Sequence, residues 1–224
     1  MDNSLVFNTC IFDFDGILVN SELILVKFWI KAAGEYGYSL HEADFNSCLG
    51  RTREDIKQIQ IDQFGKTYPF EDIYKKVQEY FHQSIEEDGL PLIDGVLLLQ
   101  QYLEKRGIKM AVASSTYRAE VLHRMEKAGI AGLFSLVFGG DEIVNPKPAP
   151  DIFLKAAEYL AADPSECLVL EDSENGVLAA KRAGMHVFVI PNLGPVTDLM
   201  REMADGIFSS HHELLKYLKT QVFC

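Results

Sequence analysis

The order of strand-like and helix-like segments constrains the fold of this chain more than any other feature. Short runs rich in β-branched and aromatic residues alternate with segments whose apolar residues recur at helical spacing. The predicted strands are Asn8–Phe14, Met110–Ala113, Leu136–Phe138, Cys167–Leu170, Val187–Ile190 and a shorter Gly206–Phe208. The predicted helices are Val96–Lys105, Arg118–Ala128, Asp151–Leu160, Gly176–Ala183 and Val196–Met203. This alternation predicts an α/β fold with a mostly parallel sheet covered by helices.

One long segment interrupts the alternation. From Ser21 to about Asp88 the sequence contains only helical patterns, in Glu22–Tyr36, Thr52–Phe64 and Phe70–Glu87. We therefore predict a catalytic core of residues 1–20 and 88–224 and an inserted helical cap domain of residues 21–87. The hinges are expected near Val19–Glu22 and Asp88–Pro91. The alternative is that these helices pack directly on the sheet.

Charge and composition argue against several functions. The net charge of −12 gives a polyanion little reason to bind, so a nucleic-acid partner is not expected. The four cysteines form no CxxC pair and the six histidines no HExxH pattern, which leaves a zinc site unsupported. No apolar run approaches the roughly 20 residues of a membrane span. The first residues lack the basic region of a secretory signal, and we expect a cytoplasmic protein.

Polar residues follow the predicted strands at the points where the strands end. Ligands of open parallel sheets bind beyond the carboxyl ends of the strands, so these residues are expected to share one edge. They are Asp13 and Asp15, then Ser114, Ser115 and Thr116, then Lys147, and finally Glu171, Asp172 and Ser173. Each group also has an ordinary structural explanation, as a turn, a helix cap or a solvated loop. Those explanations do not account for the expected location of all these groups at one edge of the sheet.

This set of side chains suits phosphoryl transfer. Clustered carboxylates repel one another, and hard oxygen ligands without histidine or cysteine favour Mg²⁺. Phosphoryl transfer needs an in-line nucleophile, positive charge around the phosphoryl oxygens and an acid for the leaving group. Asp13 can attack, and Asp15 can protonate the leaving oxygen and later deprotonate water. Ser114 and Lys147 can hold the phosphoryl group.

Four segments together resemble the haloacid dehalogenase superfamily. They are FDFDGILVNSE at 12–22, VASS at 112–115, KPAPDIF at 147–153 and EDSENG at 171–176, in an order and spacing that cover nearly the whole chain. More narrowly, the chain resembles the β-phosphoglucomutase-like phosphatases of subfamily I, which carry a helical cap after the first strand. The resemblance implies a Rossmann-like core and a phosphoaspartate on Asp13.

The same resemblance implies roles for individual residues. Asp15 would be the general acid and base, and its backbone carbonyl would also bind the metal. Asp13 and Asp172 would be metal ligands, and Glu171 would bind the metal directly or through water. Ser114 and Lys147 would bind phosphate.

Substrate-binding residues are expected in Ser115 and in the cap loop. Leu49–Glu54 resembles the substrate loop of the family, which implicates Gly50, Arg51 and Arg53. Arg53 matches a phosphate-reaching arginine of the mutase branch, although it could equally be a solvated helix residue. Trp29 is expected in the core of the cap rather than against substrate.

Two departures from the family pattern bear on the function. Asn20 stands where many relatives carry aspartate, which concerns hydrogen bonding at the hinge. Leu25 stands where the mutase proper has a histidine, which favours a hydrolase. The leading prediction is therefore a Mg²⁺-dependent phosphatase for a small phosphorylated metabolite, with a sugar phosphate as the expected substrate class, acting as a monomer or weak dimer.

The alternatives are a β-phosphoglucomutase-type sugar-phosphate mutase and a non-catalytic phosphate-ligand binding protein. A haloacid dehalogenase proper is disfavoured, because Asp15 and the Glu171–Asp172 pair suit a metal that carbon–halogen displacement does not need.

Overall fold

The computed structural model describes residues 6–48 and 53–220. In this part of the chain, six parallel strands form one sheet in the order β3-β2-β1-β4-β5-β6. The strands are β1 (Thr9–Phe12), β2 (Lys109–Ala113), β3 (Leu136–Phe138), β4 (Cys167–Glu171), β5 (His186–Val189) and β6 (Gly206–Ile207). The predicted parallel, Rossmann-like α/β sheet is confirmed.

Nine α-helices lie in the same described residues. They are α1 (Ser21–Glu35), α2 (Arg53–Phe64), α3 (Phe70–Asp88), α4 (Val96–Lys105), α5 (Arg118–Lys127), α6 (Asp151–Leu160), α7 (Glu174–Arg182), α8 (Asp198–Met203) and α9 (His211–Thr220). Short 3₁₀ helices occupy Glu42–Ser47, Gly140–Glu142 and Pro164–Glu166. Helix α9 was not predicted, although Leu214, Leu215 and Leu218 follow helical spacing and are buried. None of these helices combines the length and apolarity that a bilayer crossing requires.

The sheet has a hydrophobic core on each face because successive side chains of a strand point to opposite sides. Cys10 and Phe12 of β1 belong to a core with α4 and α9, whereas Ile11 belongs to a second core with α6 and α7. The central position of β1, paired with both β2 and β4, buries all four of its residues. The end of β1 is thereby held at the middle of the sheet.

Helices α1 to α3 enclose a third cluster of buried residues. Trp29, Phe45 and Phe70 pack there, with the ring centroids of Trp29 and Phe70 5.5 Å apart. The two chain segments that lead into and out of this helical region run side by side. Val19 pairs with Leu92 in an isolated bridge, and the Asn20 amide donates to the Pro91 carbonyl oxygen at 3.0 Å. The division into a core and a cap with hinges here remains a prediction.

Candidate active site

The carboxyl ends of β1, β2 and β4 bring the predicted polar residues together. Asp13 follows β1 directly, and its amide donates to the Leu170 carbonyl oxygen at 3.0 Å. Ser114 follows β2, and its amide donates to the Phe138 carbonyl oxygen at 3.0 Å. Glu171 is the last residue of β4. The backbone of the sheet therefore fixes where these side chains begin.

Three carboxylates form a cluster at this edge. One oxygen from each of Asp13, Glu171 and Asp172 lies within 4.8 Å of the others. Burial raises the pKa of Asp13 to about 8 against the opposing effect of Lys147, with Glu171 adding to the rise. Burial also raises the pKa of Asp172 well above its usual value, and the neighbouring Glu22 and Glu171 contribute. The cluster is electrostatically costly by itself.

Lys147 supplies the positive charge nearest to this cluster. Its side chain is 5% exposed, and its Nζ donates to Asp13 Oδ1 at 2.6 Å and to Glu171 Oε1 at 2.7 Å. Burial alone would lower the pKa of Lys147, but Asp13 and Glu171 outweigh burial and raise it. Lys147 is thus held protonated between two carboxylates.

Glu171 uses both of its carboxylate oxygens within the protein. Oε1 accepts from Lys147, and Oε2 accepts from the amides of Asp172 and Ser173 and from Ser173 Oγ at 3.0–3.1 Å. Its side chain lies so close to Gly176 that a Cβ at that position would overlap the carboxylate. Both carboxylate oxygens of Glu171 are therefore occupied by donors of the protein.

Asp172 differs from Glu171 in its surroundings. Within residues 6–48 and 53–220, its carboxylate accepts no hydrogen bond. Gly16, at φ +83°, approaches so closely that any side chain there would overlap the Asp172 carboxylate. A partly buried carboxylate with open lone pairs, beside Asp13, fits a hard divalent cation. The donor set is therefore consistent with the predicted Mg²⁺.

Asp15 lies outside this cluster and is held by other groups. Its Oδ1 accepts from Ser21 Oγ at 2.5 Å and from Arg124 at 3.1 Å, and its Oδ2 accepts from Thr116 Oγ1 at 3.0 Å. The sequence prediction placed Asp15 at the site, but it missed Thr116 and Arg124 as its partners. Thr116 was predicted at this sheet edge, with a helix cap as the alternative explanation, and its hydroxyl donates to the Asp15 carboxylate.

The remaining predicted phosphate and substrate residues line the same cleft. Ser114 is buried, and its Oγ accepts from the Thr116 amide at 3.1 Å, while Ser115 is exposed. The cleft has a volume of about 790 Å³ and is bounded on one side by the sheet edge. Its other side is formed by apolar side chains of helices α1 to α3, called the helical segment below, including Leu25, Trp29, Phe70 and Tyr74.

The predicted cap residues are only partly described. Gly50 and Arg51 lie outside the described residues. Arg53 lines the cleft, but it pairs with Glu54 and Glu71 and lies 4.8 Å from the ring centroid of Tyr74. Trp29 is buried in the third cluster and also lines the cleft.

Glu22 is a residue of this site that the sequence prediction did not assign. It lies in the first turn of α1 and lines the cleft. Burial raises its pKa to about 7, with Asp15 and Glu171 adding to the rise. Its place in the first motif was a signal, but an acidic residue at a helix start has an ordinary explanation in the helix dipole.

A parallel sheet that presents a buried aspartate, a lysine and the Glu171–Asp172 pair at its carboxyl edge carries the groups that phosphoryl transfer needs. Comparison with known proteins gives the particular family. The family model described as haloacid dehalogenase-like hydrolase matches residues 10–190. The chain belongs to this family, and the predicted resemblance is confirmed.

Three relatives illustrate the similarity. The bifunctional riboflavin kinase/FMN phosphatase of Arabidopsis thaliana is 30% identical over 94% of this chain, which spans 55% of that protein's length. The phosphorylated carbohydrates phosphatase of Thermotoga maritima is 30% identical over 78% of this chain and 81% of its own. The structure of a presumed β-phosphoglucomutase from Thermotoga maritima has a TM-score of 0.79, 27% identity, and coverage of 95% of this chain and 99% of that one.

Proposed function

We propose that the protein is a Mg²⁺-dependent phosphatase that hydrolyses a small phosphorylated metabolite through a phosphoryl group carried on Asp13. The observation that carries this proposal is the buried contact of Lys147 with both Asp13 and Glu171, at 2.6 and 2.7 Å. This contact holds a cation beside the predicted nucleophile, where the transferring phosphoryl group would lie. The relatives that act as phosphatases support the same reaction class.

The reaction divides into two displacements at phosphorus. In the first, an oxygen of Asp13 forms a bond to phosphorus, the bond to the leaving oxygen breaks, and Asp15 gives its proton to that oxygen. In the second, Asp15 takes a proton from water as the water oxygen attacks phosphorus and the bond to Asp13 breaks. Lys147 and Ser114 stabilise the charge on the phosphoryl oxygens in both steps.

The expected metal ligands are Asp13, Asp172 and the backbone carbonyl of Asp15, with Glu171 acting through water. When bound, Mg²⁺ would supply positive charge to the phosphoryl oxygens and offset the mutual repulsion of Asp13 and Asp172. The raised pKa values of Asp13 and Asp172 support a cation site here, because a bound cation would stabilise the charged form of both carboxyl groups.

A sugar phosphate is the first candidate substrate. The carbohydrate phosphatase from Thermotoga maritima acts on phosphorylated carbohydrates, as its name states. Glu22 supports this assignment, because a carboxylate that lines the cleft can accept hydrogen bonds from sugar hydroxyls.

A flavin phosphate such as FMN is the second candidate. The apolar wall of the cleft contains Trp29, Phe70 and Tyr74, and aromatic side chains of this kind pack well against a planar ring. The relative that includes an FMN phosphatase matches 94% of this chain. Values of kcat/KM for FMN and for ribose 5-phosphate would discriminate between the two candidates.

The mutase alternative differs in the acceptor of the phosphoryl group. A second sugar phosphate would then replace water, as the structural relationship to a presumed β-phosphoglucomutase suggests. Leu25 lies in the cleft at the position where the mutase proper has a histidine, and this favours water. Isomerisation of β-glucose 1-phosphate with a bisphosphate primer would reverse that preference.

The test is phosphate release from 4-nitrophenyl phosphate by wild type and by Asp13→Asn. Wild type should require Mg²⁺ and lose activity with EDTA, and Asp13→Asn should lower turnover by at least roughly 1,000-fold because it removes the nucleophile. Asp62→Asn changes an exposed aspartate of α2 and should retain activity. Turnover by Asp13→Asn near the wild-type rate would refute the mechanism.

A further inference from the structure

The carboxylate of Asp15 is surrounded by three donors, of which one is charged. Ser21 and Thr116 donate from hydroxyl groups, and Arg124 donates from its guanidinium to Oδ1 at 3.1 Å. Because two donors share Oδ1 and the third takes Oδ2, both oxygens of Asp15 are fixed in direction. Thr116 and Arg124 both lie outside the four motifs of the sequence, and Arg124 was not among the residues predicted at the sheet edge.

Arg124 is itself held from several sides. Its side chain is 9% exposed, and its Nε donates to Glu120 Oε1 at 2.8 Å, one turn earlier in α5. Its guanidinium carbon lies 4.7 Å from the ring centroid of Phe81. A planar guanidinium bonded at two nitrogens and packed on a ring has little rotational freedom. Arg124 can therefore hold the Asp15 carboxylate in a defined position.

The groups that hold Arg124 belong partly to the helical segment. Phe81 lies on α3, and so does His82, whose Nδ1 is 3.8 Å from Glu120 Oε1. The same two helices also meet where Glu86 of α3 pairs with His123, at 2.8 Å, and with Lys127. Asp15 is thus connected to helix α3 through one guanidinium group.

We propose that Arg124 is a positioning residue for the reaction, and that it fixes the Asp15 carboxyl for proton transfer to the leaving oxygen. The proposal rests on the phosphatase function proposed above. In the first displacement the proton on Asp15 passes to the leaving oxygen as its bond to phosphorus breaks. A poorly aligned Asp15 would leave that oxygen to depart as an anion, which costs most for a basic leaving group.

A purely structural role for Arg124 predicts a different result. If Arg124 only joins α5 to α3, its loss lowers the amount of folded enzyme or the rate with every substrate by the same factor. If Arg124 aligns Asp15, the loss depends on the leaving group. The value of kcat/KM is the suitable quantity because it reports steps up to the first irreversible one, here the transfer to Asp13.

The experiment compares kcat/KM for phenyl phosphate and for 4-nitrophenyl phosphate, whose leaving phenol is more acidic. Arg124→Met should lower kcat/KM for phenyl phosphate by about 10- to 100-fold and for 4-nitrophenyl phosphate by less than about 3-fold. Arg124→Lys keeps the charge but cannot bond Asp15 and Glu120 with one planar group, and it should give a smaller loss of the same pattern.

Lys127→Met is the matched control, because Lys127 joins α5 to Glu86 of α3 without contacting Asp15. Lys127→Met should lower kcat/KM for both substrates by the same factor or not at all. Equal losses for the two substrates in Arg124→Met would overturn the proposal, and if that variant does not fold, the same criterion applies to Arg124→Lys. Failure of wild type to hydrolyse either substrate would instead refute the proposed function.

Discussion

The sheet edge and the helical segment both contribute charged side chains to the cleft, but those of the sheet edge are buried and those of the helical segment are exposed. At the sheet edge, Lys147 is 5% exposed and bonded to two carboxylates. In the helical segment, Arg53 is 42% exposed and paired with Glu54 and Glu71, which are themselves largely in solvent. Lys147 was predicted to bind the transferring phosphoryl group, and Arg53 was predicted to bind the substrate. Only the first is fixed by buried partners before any ligand binds.

This difference separates reaction chemistry from substrate choice. Buried, hydrogen-bonded groups keep one arrangement and can serve every substrate in the same way. Exposed ion pairs contribute little stability, so Arg53 can exchange Glu71 for a ligand at small cost. We therefore expect the side chains of the sheet edge to determine which reaction occurs. Those of the helical segment are expected to determine which substrates, and so which leaving groups, the enzyme accepts.

The largest expected effect comes from removing a cation in each region. Lys147→Met leaves Asp13 and Glu171 buried without their partner and should lower the free energy of unfolding by about 3–5 kcal/mol in EDTA. Lys57→Met removes a cation that bonds Glu71 at 2.7 Å on the exposed surface and should cost at most about 1 kcal/mol. Urea unfolding measures both, and similar losses would contradict the distinction.

A pH effect of intermediate size is expected from His211, a buried residue of α9. Burial lowers its pKa to about 4, so between pH 6.5 and 4 the unfolded chain binds more protons than the folded one. Stability from this group is therefore complete above pH 6.5 and falls as the pH drops, by roughly 3 kcal/mol.

The check is the difference in urea unfolding between pH 7 and pH 4.5. His211→Phe and His211→Gln should both show a smaller loss of stability on acidification than wild type, because neither side chain titrates. An unchanged loss in both variants would show that the buried histidine does not resist protonation.

The smallest expected effect compares two glycines. Gly176→Ala places a Cβ against the Glu171 carboxylate and should destabilise the protein by about 1–3 kcal/mol. Gly34→Ala, in α1, meets no atom within 4 Å and should stabilise it by roughly 0.5–1 kcal/mol. Thermal melting shows whether each substitution stabilises or destabilises the protein. Destabilisation by Gly34→Ala would mean that the helical segment is packed as tightly as the sheet edge.

The same contrast explains how much the sequence could predict. Parallel strands end at one edge by backbone geometry alone, so Asp13, Ser114 and Glu171 were placed correctly from the positions of the strands. The contact between Asp15 and Arg124 joins residues 109 positions apart, and a charged residue in a helical pattern resembles a solvent-facing one. It becomes visible only when the packing of α5 is known.

The cleft wall was unpredictable for a related reason. Its shape depends on how α1 to α3 lie over the sheet, and no local pattern encodes that arrangement. Helix α9 is a different case, because the spacing of Leu214, Leu215 and Leu218 is a local helical signal in the sequence.

The bridge between Val19 and Leu92 has a consequence for folding. Strands β1 and β2 pair Thr9 with Lys109, so their contact closes a loop of 100 residues. If the helical segment folds first and brings Val19 beside Leu92, the loop left to close shrinks to about 30 residues, which lowers the entropic cost of pairing by about 1 kcal/mol. A long insertion can thus leave the central strands almost as easy to pair as they would be without it.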